Sequence, residues 1–415
     1  MTRKRLLAGL AASALVLAAC GSDDSGGGAD TTAAAPSGTE AAATTAAADT
    51  SVAAGGGGEA LTELGEGEGQ VNLIAWAGYV EDGSTDPAVD WVTGFEEETG
   101  CNVNVKIGNT SDEMVALMQS GEYDGVSASG DATLRLIAGG EVSPVNTDLI
   151  PNYADVFPDL KDQAHNTVDG VSYGVPHGRG ANLLVFNTDS FPSAPDSWGV
   201  MFEPDSPAKG GVSIYDAPIY IADAAVYLMA TQPDLGITNP YALDETQFAA
   251  AVDLLNQQKD LAGQYWSLYT DQQTALEAGS VTAGTTWQVI VNLATANGAK
   301  IGAVKPKEGA TGWSDTWMIS SKAQNPNCMY MWMNHIISPE ANAGVAEWFG
   351  EAPSNAKSCA LTSDANHCDT FHAEDTAFWE DVFYWTTPTA TCLDGRDVAC
   401  VPFTEWVNAW NELRA

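Results

Sequence analysis

From residue 70 onwards, apolar and polar residues alternate between the pattern of a buried strand and that of an amphipathic helix. The stretch VNLIAW at 71–76 is nearly continuous in apolar residues, which is typical of a parallel strand covered on both faces. The next segments predict, in order, a helix at 90–100, a strand at 101–108, a helix at 111–121, a strand at 123–130 and a helix at 131–140. This order predicts an α/β unit with a mostly parallel sheet.

A second set of strands and helices follows the turn-rich stretch at 143–160. The segment at 171–189 has the pattern of strands that flank a glycine-rich bend. Further strand and helix patterns lie at 211–230, 246–259, 275–298 and 300–323, with a turn expected at 306–312 in the last of them. Because 415 residues are too many for one ordinary domain, the length suits two lobes or one large α/β protein.

The N-terminal segment has the pattern of an export signal. Arg3, Lys4 and Arg5 precede an apolar stretch that is too short to span a membrane, and this stretch ends in LAAC at 17–20. That ending resembles the lipobox of bacterial lipoproteins, so we expect a signal peptide at 1–19 and lipidation of Cys20. The alternative is an ordinary secretory signal with an incidental cysteine.

Residues 20–69 are rich in Gly, Ala, Thr, Ser and acidic residues and show no apolar periodicity. Such a composition buries too little apolar surface to offset the entropy of ordering, so it predicts a lipid-anchored tether.

The formal net charge of the chain is −39. This charge repels phosphate backbones and anionic membranes, so we expect no nucleic-acid partner and membrane contact only through the lipid anchor. It is compatible with a cationic ligand, although acidity spread over a surface also serves solubility.

Six cysteines remain after Cys20, and an even number in an exported protein indicates disulfides. The short spacings favour Cys359–Cys368 and Cys392–Cys400, which leaves Cys101 and Cys328 as a long-range pair. The run HCDTFH at 367–372 admits a zinc site as the alternative, but no CxxC pair supports one. No P-loop or complete dinucleotide-binding loop is present, and we expect neither a metal nor a cofactor.

Aromatic, hydroxyl and carboxylate residues recur at or just after the predicted strand ends. Ligands of open α/β sheets bind beyond the carboxyl ends of strands, so these positions predict a binding site, with core packing as the alternative for any one tryptophan. The residues are Trp76, Tyr79, Ser129, Asp131, Asp216, Trp287, Trp313 and Asp315.

Several stretches resemble the extracytoplasmic solute-binding proteins of spermidine/putrescine-type ABC transporters. They are LIAWAGYV, YDGVSASG, YGVPHGRGANLLVFN, GVSIYDAPI and, most specifically, KPKEGATGWSDTWMIS. The resemblance implies a periplasmic-binding-protein-like fold, with two α/β lobes joined by hinge crossings around a ligand cleft. It matches Trp76, Tyr79, Ser129 and Trp287 to binding positions, Asp315 to a carboxylate that faces an amine, and Asp216 to an acid of the second lobe.

We therefore expect lobe 1 at 70–177 and 303–350, and lobe 2 at 178–302 and 351–415. The resemblance implies a monomeric, non-enzymatic, substrate-binding component of an importer, anchored outside the bacterial cytoplasmic membrane on its periplasmic side. It would capture a polyamine or related organic cation and deliver it to the permease subunits. Aromatic faces and carboxylates are the groups that bind methylene chains and ammonium ions.

Departures from the family pattern leave alternatives open. Family acids near Trp287 and Asp216 are replaced by Gln288, Val289, Ile290 and Ile219, and Arg179 falls in the hinge stretch. Fewer acids suit a smaller cation. If Arg179 contacts the ligand rather than forming a salt bridge, they suit an amine that also carries a carboxylate. A surface glycoside hydrolase that pairs Asp216 with Asp315 is a further alternative.

Overall fold

Two five-stranded sheets organise residues 58–415, the part of the chain that the computed structural model describes. The predicted signal peptide, Cys20 and residues 21–57 of the predicted tether lie outside the described residues. The strands are β1 (Gln70–Ala75), β2 (Asn102–Ile107), β3 (Gly125–Ala128), β4 (Thr167–Val168), β5 (Val171–Ser172), β6 (Val175–Pro176), β7 (Gly178–Ala181), β8 (Leu183–Asn187), β9 (Val212–Tyr215), β10 (Ala262–Trp266), β11 (Ala283–Thr286), β12 (Ile301–Val304), β13 (Ala310–Trp313), β14 (Thr316–Ile319), β15 (Ala352–Pro353) and β16 (Val382–Tyr384).

Helices cover the sheets. They are α1 (Thr93–Thr99), α2 (Ser111–Gln119), α3 (Gly130–Ala138), α4 (Gly199–Phe202), α5 (Ile221–Thr231), α6 (Glu245–Gln258), α7 (Tyr269–Glu277), α8 (Gln288–Ala296), α9 (Pro326–Ile336), α10 (Pro339–Phe349), α11 (His367–Thr370), α12 (Thr376–Trp379) and α13 (Phe403–Arg414). None of the helices within 58–415 combines the length and the apolar character that a membrane span needs.

The first sheet has the order β2-β1-β3-β14-β6. Strands β1, β2 and β3 are parallel, and β14 runs antiparallel to both of its neighbours. Successive residues of β1 enter different cores: Leu73 packs with Trp332 of α9, and Ile74 packs with Met114 of α2. The continuous apolar run is therefore explained by helices on both faces of the sheet.

The second sheet has the order β10-β9-β11-β8-β12. Strands β9, β10 and β11 are parallel, and β8 runs antiparallel to both of its neighbours, β11 and β12. Ile214 of β9 belongs to the core formed with α5 and α6, and Val185 of β8 packs against α7 and α8 on the opposite face. Four of the five strands in each large sheet run in the same direction, and the predicted α/β fold class with mostly parallel sheets is confirmed.

A four-stranded sheet, β15-β7-β13-β16, lies where the chain passes between the two larger sheets. The predicted glycine-rich bend is here the regular strand β7, and the predicted turn at 306–312 ends earlier because β13 begins at residue 310. A Cβ on Gly180 would lie 2.4 Å from the Trp313 ring, and one on Gly178 would lie 2.3 Å from the Glu351 carboxyl carbon. These glycines make room for close packing, not for a turn.

The chain crosses between the large sheets near β7 and β13. Strand β12 is part of the second sheet, although the expected boundary at 303 divides it. In the last segment, β15 pairs with the crossing strand β7 and β16 pairs with β13. Trp406 and Trp410 of α13 pack into the core that Ile214 forms with α5 and α6.

The end of the predicted tether is packed. Residues 58–69 form no long regular element, yet the Glu68 carboxylate accepts the backbone N–H groups of Asn327 and Cys328 at 3.0 and 2.9 Å. Because these groups open α9, the carboxylate satisfies donors that the helix leaves free. The backbone oxygen of Leu61 also accepts a hydrogen bond from Asn146. The packed region therefore begins before residue 69.

Three disulfides join the six cysteines in the pairs that the spacing predicts: Cys101–Cys328, Cys359–Cys368 and Cys392–Cys400. The first links the segment before β2 to α9 across 227 residues of chain. In the chain-entropy description, closing so long a loop stabilises the fold by about 5 kcal/mol. The sulfur of Cys368 is bonded to carbon and sulfur alone, and is not a thiolate for zinc.

Candidate ligand-binding site

A cavity of about 280 Å³ lies between the carboxyl ends of the parallel strands of the two large sheets. On the first sheet, Trp76 follows β1 and Ser129 follows β3; on the second, Tyr215 ends β9 and Trp287 follows β11. All four line the cavity. This is the edge at which open α/β sheets bind ligands.

Aromatic rings form most of the cavity wall. The aromatic residues that line it are Trp76, Tyr215, Tyr269, Trp287, Trp313, Phe349 and Trp385, and the polar ones are Asn109, Ser111, Ser129, Ser267, Thr270 and Asp315. Within the described chain, Asp315 is the one charged residue of this lining. The cavity thus joins flat apolar faces to a single carboxyl group.

Asp315 lies in the two-residue connection between β13 and β14 and is 3% exposed. Its Oδ1 accepts the Ser129 hydroxyl at 2.6 Å, and its Oδ2 accepts the Tyr79 hydroxyl at 2.8 Å. Burial raises the pKa of Asp315 to about 6, while the hydrogen bonds from Ser129 and Tyr79 oppose that rise. The Trp76 indole also lowers this pKa, although its N–H forms no hydrogen bond within the described chain. The carboxyl group is therefore ionised above neutral pH and oriented by two donors.

A second buried carboxyl group, Glu351, lies behind Tyr79. Its Oε2 is 3.3 Å from the Tyr79 hydroxyl, and its Oε1 is 3.4 Å from Nε2 of His177. The Tyr79 ring packs against the His177 ring, with 3.9 Å between centroids. Burial raises the pKa of Glu351 well above its usual value and lowers that of His177 to about 3. Tyr79 therefore connects the cavity carboxyl group to a second acid in the core.

The Trp287 indole is held by a series of hydrogen bonds that extends to α5 of the second lobe's helices. Its indole N–H donates to Asn182 Oδ1 at 2.8 Å, and the Asn182 amide donates to Thr311 Oγ1 at 2.6 Å. Thr311 in turn donates to the buried Asp223 at 3.1 Å. These bonds fix the indole plane at the cavity.

Two further rings stand beside Trp287. The Tyr215 ring meets it edge-on, with 5.7 Å between centroids. Tyr215 also stacks on Trp385, with the rings 5.7 Å apart and 7° from parallel. Apolar walls of this kind contact methylene groups and present π faces to a cation.

Five of the nine predicted ligand residues line the cavity: Trp76, Ser129, Trp287, Trp313 and Asp315. Tyr79 does not line it but holds Asp315 by the hydrogen bond described above. Asp131 also lies off the wall, where its Oδ1 accepts the Ser111 hydroxyl at 2.9 Å.

Asp216 and Arg179 are engaged elsewhere. The Asp216 carboxylate accepts hydrogen bonds from Trp410 and Arg414 of α13. The Arg179 guanidinium pairs with Asp159, donates to the Ala373 carbonyl and packs over the Trp379 ring at 4.3 Å. Arg179 borders a space of about 20 Å³ on the other side of Trp287 and Trp313, which has room for no more than a water molecule. Arg179 thus follows the salt-bridge alternative, and the expectation that it reaches the cavity is corrected.

Several side chains at or behind the cavity wall were not predicted from the sequence. Tyr215 precedes Asp216 at the end of β9, so the strand-end rule could have found it. Phe349 and Trp385 come from the end of α10 and from the segment after β16, outside the regular strand–helix units. Glu351 carries no local signal, because its neighbours come from distant parts of the chain.

A second, more open cavity of about 360 Å³ lies near Asp159, His165, Trp379 and Tyr384. Its one carboxylate, Asp159, is already paired with Arg179. The first cavity is therefore the better candidate for a charged ligand, since it lies at the strand ends and holds a carboxyl group with no basic partner in its lining.

Comparison with known proteins is consistent with this geometry. The putrescine-binding periplasmic protein PotF of Escherichia coli (strain K12) is 23% identical over 310 residues, which cover 71% of this chain and 80% of PotF. The putrescine-binding periplasmic protein SpuD of Pseudomonas aeruginosa (strain UCBPP-PA14) is 25% identical over 310 residues, 71% of this chain and 81% of SpuD.

Among solved structures, the spermidine/putrescine ABC transporter substrate-binding protein PotD of Streptococcus pneumoniae (strain Canada MDR_19A) superposes with a TM-score of 0.65 at 17% identity. The match covers 83% of this chain and 97% of that protein, which confirms the periplasmic-binding-protein-like fold. Residues 90–368 match the family described as "Bacterial extracellular solute-binding protein". That match spans more than half of the sequence, and the chain belongs to this family of bacterial extracellular solute-binding proteins.

Proposed function

We propose that this protein is the substrate-binding component of an ABC importer, and that it captures a polyamine or a related organic cation in the cavity between its two large sheets. The observation that carries the proposal is one buried, hydrogen-bonded carboxyl group, Asp315, at a wall of aromatic rings. The names of the relatives PotF and SpuD, both putrescine-binding, support the same ligand class.

The chemistry of the cavity fits an ammonium group with an apolar body. A charge-assisted hydrogen bond to a buried carboxylate contributes about 1.5–3 kcal/mol, and an ammonium over an indole face about 0.5–2 kcal/mol. Methylene groups gain roughly 0.8 kcal/mol each when they leave water for the aromatic walls. A small organic cation therefore has favourable contacts over its whole surface.

Two alternatives lose their support. An amine that also carries a carboxylate needs a basic partner, but the described lining contains no Arg or Lys, and Arg179 is paired with Asp159. A glycoside hydrolase needs two carboxyl groups that flank one bond. Asp216, the expected second acid, is bonded to Trp410 and Arg414 instead of lining the cavity.

In this proposal the two large sheets with their helices are lobes that close over the cation, and the closed form docks on the permease subunits. The chain acts as a monomer, and a lipid on Cys20 holds it at the outer face of the cytoplasmic membrane. The low-complexity segment between Cys20 and the packed region acts as a tether between the lipid and the lobes.

Mass spectrometry of small molecules released from freshly purified, denatured protein tests the proposal directly. We expect an organic amine in amounts comparable to the protein. Amines added to the emptied protein should then raise the unfolding temperature through mass action. Release of a neutral or anionic molecule, with no thermal shift from any amine, would reject the proposed ligand class.

A further inference from the structure

The hydrogen bonds around Tyr79 determine how many negative charges surround the cavity. Tyr79 has one hydroxyl proton but contacts two carboxyl groups, Asp315 at 2.8 Å and Glu351 at 3.3 Å. Both contacts are attractive only if one of the two acids is itself protonated and donates to the tyrosine oxygen. The pair of acids therefore shares one proton and carries one negative charge.

The position of that proton follows from the other partners. Asp315 accepts a second, short hydrogen bond from the Ser129 hydroxyl at 2.6 Å, which stabilises its ionised form. Glu351 lies just after Gly350, the residue that caps the C-terminal end of α10, and its own backbone N–H donates to Ala346 in the last turn of that helix. The C-terminal end of a helix is electronegative and disfavours a carboxylate. The charge thus belongs on Asp315 and the proton on Glu351.

His177 supplies no counter-charge to Glu351. Its Nδ1 accepts the indole N–H of Trp317 at 2.9 Å, so a neutral ring carries its proton on Nε2. That nitrogen lies 3.4 Å from Glu351 Oε1, and neither atom has a hydrogen-bond partner among the described residues. Burial lowers the pKa of His177 to about 3, in agreement with a neutral ring. The Trp317 indole thus donates to His177, whose Nε2 faces Glu351 at 3.4 Å without forming a hydrogen bond. A proton on Glu351 is directed to Tyr79, whose hydroxyl donates to Asp315.

The remaining nearby acids lie off the cavity wall, although Asp131 is close enough to Asp315 to raise its pKa. Asp216 is paired with Arg414, and Asp131 does not line the cavity and already accepts the Ser111 hydroxyl. A volume of about 280 Å³ is small for a ligand site, since such sites span roughly 300–1,000 Å³. A second ammonium group inside would lose its water without gaining a carboxylate.

We propose that Glu351 is held as a neutral acid, that the cleft therefore presents a single negative charge on Asp315, and that its ligand class is organic monocations with an apolar body in preference to diamines and longer polyamines. This inference rests on the proposed function and narrows its ligand class.

Calorimetric titration of the emptied protein with matched amines tests the charge count without any substitution. The probes are putrescine, its monoamine counterpart n-butylamine, and phenethylamine, which adds an aromatic ring. We expect both monoamines to bind at least about tenfold more tightly than putrescine, because a second buried ammonium is unpaired. Equal or tighter binding of putrescine would overturn the inference and leave the proposed function intact. If none of the three binds, the proposed function fails and the inference fails with it.

A substitution at Glu351 tests whether this side chain is protonated and therefore neutral. In Glu351→Gln the amide can donate to Tyr79 and accept from His177, as the neutral acid does, so we expect n-butylamine affinity within about threefold of the parent protein. A loss of more than about tenfold, with an unchanged far-ultraviolet circular dichroism spectrum, would show that Glu351 carries charge. If the variant does not fold, the infrared absorption of carbon-13-labelled glutamate in the parent protein decides. A protonated carboxyl band supports the inference, and its absence overturns it.

Asp131→Asn serves as the matched control for a second charge. We expect unchanged affinity for both n-butylamine and putrescine. A selective loss of putrescine binding would identify Asp131 as a second ammonium site and overturn the single-charge cleft.

Discussion

The two sides of the cavity hold their side chains by different means. On the first-sheet side, which we call the acid wall, Ser129 and Tyr79 direct hydrogen bonds to Asp315. On the second-sheet side, the aromatic wall, Tyr215, Trp287 and Trp385 pack edge-on and face-to-face. The acid wall offers a ligand one negative charge at a fixed position, whereas the aromatic wall offers a large apolar contact surface.

This difference indicates a division of roles. A carboxylate fixed by two donors selects for a positively charged ligand, because a buried carboxylate is unfavourable unless an opposite charge or a hydrogen-bond donor pairs with it. Aromatic faces contact many molecular shapes and discriminate weakly among them. We therefore expect changes in the acid wall to abolish binding, and changes in the aromatic wall to weaken it and shift preference among cations.

Removing the charge should have the largest effect. Asp315→Asn keeps the shape of the side chain but loses the charge-assisted hydrogen bond, and we expect about 10–100-fold weaker binding of n-butylamine. Titration calorimetry at pH 8 measures it, with Asp216→Asn as the control acid outside the cavity. Equal affinity in the parent protein and Asp315→Asn would contradict the site assignment.

Acidification should imitate that loss reversibly. The raised pKa of Asp315, about 6, means that the empty site takes up a proton below that pH and becomes neutral. Cation affinity should therefore be constant at pH 7–8 and fall by about tenfold for each pH unit below 6. Titrations between pH 8 and 5 test this, and Asp216→Asn should keep the same profile. Affinity that stays constant down to pH 5 would show that the ligand does not depend on this carboxylate.

The aromatic wall should respond less. Trp287→Ala removes one ring face and its apolar contacts, and we expect roughly tenfold weaker binding at an unchanged pH profile. Trp348→Ala is the matched control, since this tryptophan is 39% exposed and does not line the cavity. If Trp287→Ala weakens binding as much as Asp315→Asn does, the two walls do not differ as described.

Arg179→Ala should leave the order of ligand affinities unchanged and affect stability instead. The variant removes a buried guanidinium from Asp159, the Ala373 carbonyl and the Trp379 ring. Because Asp159 is 42% exposed and regains water, we expect a loss of only about 2 kcal/mol in the free energy of unfolding. Urea denaturation measures it. A changed preference among amines would place Arg179 at the ligand after all.

Local patterns predicted much of the acid wall and part of the aromatic wall. Trp76, Ser129 and Trp287 follow parallel strands directly, and a strand followed by a polar or aromatic residue is visible in sequence. Phe349 and Trp385 were missed because they reach the cavity from segments outside those units. Asp216 follows β9 as expected, but α13 supplies Arg414 and Trp410, which turn its carboxylate to another use.

The sequence alone determined the alternation of strands and helices, the two short-range cysteine pairs, and several of the strand-end residues that line the cavity, because each depends on residues close together or on spacing along the chain. Tertiary structure decided which acids remain available to a ligand. Asp216 and Glu351 are both acidic in sequence, yet the carboxyl group of each acquires its partners from distant segments. Charge and burial depend on those long-range contacts, so the number of negative charges in the cleft is a property of the folded chain.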